Sequence, residues 1–316
     1  LFESMRVDDA AGPRLASRVS GDSTVAYAWA FSMAAEALCG APPPPRAQWL
    51  RALALERERV ANHLGDLGAL GNDAAFAFGL AQFSRLKEDW LRTQSALFGH
   101  RFMMDWVVPG GVASDVASAG LDAVARQCDA IADEVHLLRS IYDEHAGLQD
   151  RFVGAGTVSA DLARRLGLTG LAARASGVPS DLRADLPFAP YDVLQVQAAG
   201  ADTGDVAARV AVRFDEVFES LRLVRQIANQ LPQGEVRAPL GVAQAGDRAA
   251  GWVEGWRGEV LVTIELDRDG RIRRCHCHDP SWQNWPLLEH AVIGNIVPDF
   301  PLINKSFNLS YSGQDL

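Results

Sequence analysis

Apolar positions recur at three- and four-residue steps through most of this chain and alternate with polar ones only near its end. The first pattern marks helices with one buried stripe and the second marks half-buried strands. Residues Ser23 to Leu38 predict a helix, with Asp22 or Ser23 placed to cap its first turn and Gly40 and Pro42 to Pro45 ending it. Trp49, Leu53, Val60, Leu64 and Leu67 share one face of a second helix, and Phe76, Leu80, Phe83, Leu86 and Trp90 one face of a third, over about 74–97. Gly110-Gly111 interrupts the chain before a long helix over about 116–144. Residues 147–200 are rich in Gly, Pro and Asp without long periodicity, which predicts short helices and loops. A further helix over about 205–231 stops at Pro232. The period then shortens. Residues 259–266 and 271–278 flank Asp267-Arg-Asp-Gly270, a β-hairpin signal with glycine where a positive φ is needed. Pro286 to Gly294 predicts one last helix, followed by an irregular tail. The expected fold is mainly α (α+β), a single domain over 1–316. It has a helical core at about 22–231, a small hairpin at about 259–278, and a C-terminal helix and tail at 284–316.

With 316 residues, 48% of them hydrophobic, the chain can bury a large core. Thirty basic against 40 acidic side chains leave a net charge of −10. That excludes a general nucleic-acid binder, which needs a basic surface to displace counterions. No run of 18 apolar residues occurs, so no segment is expected to cross a membrane. Leu1-Phe2-Glu3-Ser4 has neither an initiator Met nor the features of a signal peptide, so an upstream portion is expected. Cys39, Cys128, Cys275 and Cys277 are irregularly spaced, unlike a secreted disulfide framework, which points to a reducing, cytoplasmic location.

Cys275-His-Cys-His278 resembles a zinc motif, but on a strand its cysteines and histidines face opposite ways, so a half-buried strand is the expectation. Glu56, Arg59 and His63 share one helix face. Arg59 would repel a cation there, so a satisfied buried polar network is expected in place of a metal site. No HExxH motif, phosphate loop, nucleophile elbow or dinucleotide fingerprint is present. Asn308-Leu-Ser310 matches a glycosylation sequon, which is expected by chance in a cytoplasmic protein.

Several stretches fall in a specific order. Glu56, Arg59, His63 and Leu64 fit E-x-x-R-x-x-x-H-L, followed by Pro109-Gly-Gly-Val112 and Leu166-Gly-Leu-Thr-Gly170. Arg174-Ala-Ser-Gly177, Asp181-Leu-Arg183 and Glu254-Gly-Trp-Arg-Gly-Glu259 come next, with Trp256 where proline is commoner. Asp279-Pro-Ser-Trp-Gln-Asn-Trp285, Pro298-Asp-Phe-Pro-Leu302 and the tail Ser306 to Leu316 close the series. This order resembles the large subunit of group 4 nickel–iron hydrogenases, the formate hydrogenlyase type, and the 49-kDa subunit of respiratory complex I. The resemblance covers essentially the whole chain and implies their helical fold, less the family's N-terminal β segment.

In the hydrogenases two CxxC pairs hold nickel through soft thiolates. The matching positions here carry Ser20, Ser23, Ser310 and Gly313, with Asn308-Leu309 replacing the family's Asp-Pro. The resemblance therefore implies a large subunit that binds no metal and no cofactor itself. It also implies a vestigial pocket of Ser20, Asp22, Ser23, Tyr27, Arg257, Asn308, Ser310 and Gly313, and it assigns no catalytic residue. The implied partners are an iron–sulfur small subunit carrying the cluster, a 30-kDa-like subunit and antiporter-like membrane subunits. Through them the chain would sit on the inner face of the membrane. A quinone-reducing subunit is the alternative. The family's quinone-binding tyrosine is replaced by Gly21, and its histidine would lie before Leu1. Tyr27 stands where relatives usually have histidine, either as a substitute donor or as a packed core residue. An open channel with donors from Tyr27 or Asp22 would favour quinone chemistry. A cleft filled by Trp256, Phe307 and Tyr311 would favour a scaffold.

Overall fold

The structure is a computed structural model describing residues 1–243 and 246–315, so Leu316 of the predicted tail lies outside the described residues. Five long helices form the body: α1 (Thr24–Cys39), α2 (Pro45–Asp73), α3 (Ala77–Phe98), α4 (Ser118–Glu144) and α5 (Val206–Gln230). Helices α1, α3, α4 and α5 lie within about a turn of the ranges predicted for them, and α2 extends past its predicted apolar positions, Trp49 to Leu67, at both ends. A run of short helices between 146 and 194 connects α4 to α5, as the Gly-, Pro- and Asp-rich composition implies. Pro109-Gly110 makes a tight turn between two-residue strands, Val107–Val108 and Gly111–Val112.

Helix α2 is central. It packs on α3 and α5, and its burial goes far beyond the apolar stripe: Arg51, Glu56, Arg57, Arg59 and His63 are all fully enclosed. Helix α1 is buried on nearly every side. Its first turn is not capped by Ser23, whose side chain makes no capping bond, nor by Asp22. Instead, Glu58 reaches over from α2, and its two carboxylate oxygens accept the amides of Val25 (2.6 Å) and Ala26 (3.2 Å). A side chain distant in sequence can satisfy orphan helix donors as well as a local one.

The predicted hairpin is the second half of a three-stranded antiparallel sheet: β1 (Arg248–Glu254), β2 (Glu259–Leu266) and β3 (Ile272–His278). Strand β1 lacks a clear apolar alternation, and it is stabilised by pairing with β2 and by lying directly against α1. A methyl group on Gly251 would come within 1.9 Å of the Ala30 carbonyl oxygen, so only glycine permits that approach.

The C-terminal part also departs from expectation. Helix α6 spans Ser281–Ala291 and encloses Pro286, which the sequence placed at its start. The Asp279 carboxylate accepts the Ser281 amide (2.9 Å) and sets the true beginning. The tail is helical, with α7 (Phe300–Phe307) and α8 (Tyr311–Gln314) joined through Asn308 in the left-handed region (φ 46°). Among the described residues no helix is long and apolar enough to cross a membrane.

Candidate functional site

The turn before α1, the β1–β2 turn and the α7–α8 segment converge, and they bring the predicted pocket residues together. The Ser20 and Ser310 hydroxyls, from opposite ends of the chain, lie 2.9 Å apart. Ser20 also donates to Asp22 (2.8 Å), and Ser310 accepts the Gly313 amide (3.0 Å). Arg257 grips the Asp22 carboxylate with both terminal nitrogens (2.8 and 2.5 Å), reaches Ser23 (3.3 Å) and donates through Nε to the Asn308 carbonyl (2.5 Å). Its guanidinium lies 4.0 Å from the Trp256 ring centroid, and the Trp256 indole donates to the Asp22 carbonyl (2.9 Å). Burial acts to raise the Asp22 carboxyl, but the hydrogen bond and charge of Arg257 outweigh it and hold Asp22 below the usual carboxylate range.

Tyr27 points into the same region and donates to Asp279 (2.5 Å). Burial, then the Asp279 charge, pushes its phenol far above the ordinary range, so Tyr27 is a fixed neutral donor. Asp279 itself occupies the space a side chain at 313 would need. A Cβ on Gly313 would stand 2.5 Å from its Cγ and 2.6 Å from Oδ2.

A nickel–iron cluster does not fit this donor set. Three of the four anchor positions offer hard hydroxyls, two of those are bonded to each other, and at the fourth a carboxylate fills the place of the thiolate. Among the described residues no group of three or more His, Cys, Asp or Glu is placed to hold a metal ion. The cavity beside Asp22, lined also by Glu58, Asn62, Lys87 and Met103, has a volume of about 10 Å³, room for about one water. Of the three aromatics expected to fill a scaffold's cleft, Trp256 and Phe307 are buried, whereas Tyr311 is 64% exposed and packs edge-on against Trp285.

Glu56, Arg59 and His63 do lie in a buried polar network. Glu56 accepts Arg183 (3.0 Å), Tyr191 (2.6 Å) and Ser220 (2.6 Å), and His63 bonds Glu216 (2.7 Å). Arg59 donates to the Glu254 and Gly255 carbonyls (2.7 and 2.9 Å). On β3, His276 and His278 pack edge-on against Trp282, while Cys277 turns into the core, as strand alternation requires. Sequence reasoning missed Asp279, Glu216 and Glu254 as members of these sites. Asp279 and Glu254 stood in the sequence only as the first residues of two stretches that carry the family resemblance, and no local pattern marks Glu216.

The family described as respiratory-chain NADH dehydrogenase, 49 Kd subunit, matches residues 70–245. The carbon monoxide-induced hydrogenase of Rhodospirillum rubrum is 32% identical over 93% of this chain and 82% of its own length. Formate hydrogenlyase subunit 5 of Escherichia coli is 30% identical over 95% of this chain, which spans about half (53%) of that relative. In fold, the chain superposes with a TM-score of 0.93 on a subunit of the archaeal membrane-bound sulfane sulfur reductase, a respiratory membrane complex. That likeness covers 100% of this chain and 87% of the other at 24% identity.

Proposed function

This chain belongs to the family of the respiratory-chain NADH dehydrogenase 49 kDa subunit and its hydrogenase large-subunit relatives. On that premise we propose that it acts as a non-metal large subunit of a membrane-associated redox complex, with its former metal cleft closed by its own side chains. The observation that carries the reading is the filling of the anchor positions: Ser20 bonded to Ser310, and Asp279 standing where a ligand at 313 would begin. Electron transfer would run through an iron–sulfur cluster in a partner small subunit. A 30-kDa-like subunit and antiporter-like membrane subunits would complete the assembly at the cytoplasmic face. The relatives' names support an oxidoreductase assembly of this kind. The quinone-reducing alternative has less support. Tyr27 and Asp22, the donors a headgroup would use, are committed to Asp279 and Arg257, and the adjoining cavity has room for about one water.

The test is metal analysis and a hydrogen-dependent dye-reduction assay on the complex purified through this chain. Expected are nickel far below one per chain and dye reduction at background. Stoichiometric nickel with hydrogen-dependent activity would sink the reading.

A further inference from the structure

Behind the closed cleft, four carboxylates (Glu56, Asp181, Glu216 and Glu254) meet three guanidiniums (Arg59, Arg174 and Arg183), and no side chain among them is more than 1% exposed. Arg213, the next cation, is committed to Asp66 (3.1 Å) and the Ser306 carbonyl (2.7 Å). Asp66 also holds Lys305 (3.1 Å), so these three form a separate pairing, and among the seven groups of the cluster itself carboxylates outnumber guanidiniums by one. An uncompensated charge without water is expensive enough that a buried acid takes up a proton in its place.

Two groups could carry that proton. His63 faces Glu216 through Nε2, with Arg59, Arg213 and Asp66 as its other charged neighbours, and its Nδ1 has no partner. As an imidazolium it would leave a buried N–H without an acceptor; as the neutral Nε2–H tautomer it satisfies Glu216 and loses no donor bond. Glu254 is the poorly compensated carboxylate. It shares Arg174 (2.9 Å) with Glu216, and its other oxygen accepts only the Leu182 amide at 3.2 Å. Arg59 is its other charged neighbour besides Asp181, which disfavours ionisation.

We propose that Glu254 is an internal proton-binding site that holds one exchangeable proton in the folded protein while His63 stays neutral. Burial, against the pull of Arg174 and with the repulsion of Asp181, pushes Glu254 up to about 7, whereas burial lowers His63. The position gives the proton a structural consequence. Glu254 ends β1, its carbonyl and that of Gly255 hold Arg59, and the turn that follows carries Arg257 to Asp22. The charge state of Glu254 thus acts at the base of the turn that seals the cleft.

The test is an isotope-edited infrared titration of the full chain labelled with ¹³C-glutamate. A carboxylic-acid C=O band should disappear as pH rises, with a midpoint near 7, and should be missing from Glu254→Gln. Glu58, a second buried acid pushed up to about 8, contributes a band that persists in that variant. The folded form of Glu254 binds its proton more tightly than the unfolded chain does. Its stabilisation is therefore complete below pH 4.5 and is lost as pH rises through about 7. Across that window the wild-type unfolding constant should climb relative to Glu254→Gln by up to about tenfold per pH unit. If Glu254→Gln does not fold, the ¹⁵N shifts of His63 in the unaltered chain decide. A neutral Nε2–H ring at neutral pH supports the proposal; an imidazolium overturns it, as does a band unchanged in Glu254→Gln.

Discussion

Replacing Gly313 with alanine adds one methyl group that the local backbone would accept and the surroundings would not. Gly313 lies inside helix α8 and outside the left-handed region, so by helix propensity alone alanine should stabilise by about 0.5–1 kcal/mol. Packing predicts the opposite. The new Cβ would stand 2.5 Å from Cγ and 2.6 Å from Oδ2 of Asp279. That carboxylate cannot swing aside freely, because it is 1% exposed, accepts the Tyr27 hydroxyl (2.5 Å) and caps the Ser281 amide (2.9 Å). Overpacking of this kind costs about 1–3 kcal/mol. Leaving the buried Tyr27 hydroxyl unpaired costs about 1–3 kcal/mol more. Net of the helix gain, Gly313→Ala should destabilise by about 1–5 kcal/mol, read from urea unfolding midpoints at constant slope. In an Asp279→Gly background all three close contacts, Cγ, Oδ2 and Cβ (2.9 Å), vanish, and the same substitution should cost less than about 1 kcal/mol, a coupling of about 1–3 kcal/mol. If Gly313→Ala is neutral in the natural chain, or equally costly in both backgrounds, then Asp279 does not fill the lost ligand's place.

Arg257→Met should lower stability by about 1–3 kcal/mol at neutral pH, less than for a fully buried pair because the Asp22 side chain is 41% exposed. Asp22 is held below its usual range by Arg257, so its stabilisation is present above about pH 3.8 and is lost as pH falls through its lower folded value. Urea midpoints should therefore fall less steeply into acid in the variant, and an unchanged acid dependence would contradict the pairing. Glu56→Gln keeps the shape of the side chain but leaves Arg183 without half of its counter-charge, so unfolding should become easier by about 3–5 kcal/mol. Burial acts to raise Glu56, and Arg183 followed by Arg59 overcomes it and lowers it. The penalty should thus be full above about pH 4.5 and shrink in acid; a penalty independent of pH would count against the network.

Local chemistry determined much of this protein. The five long helices follow from apolar spacing, the β2–β3 turn from Asp267 to Gly270, and the lack of a thiol at 20, 23, 310 and 313 from residue identity. These features are legible because side-chain period, turn conformation and donor hardness are properties of a few neighbouring residues. Contacts between distant segments decided the rest. Strand β1 exists because β2 pairs with it and Gly251 lets it approach α1, and α1 is capped by Glu58, 33 residues away in the chain. Glycine at 313 reads in sequence as a missing ligand; in the folded protein it is the space into which Asp279 fits. The sequence placed Glu56, Arg59 and His63 on one face and in a buried polar network, without naming the partners. That face became a sealed cluster only when Arg174, Arg183, Glu216 and Glu254 arrived from other elements, since a buried charge is tolerated only where the fold supplies its partner.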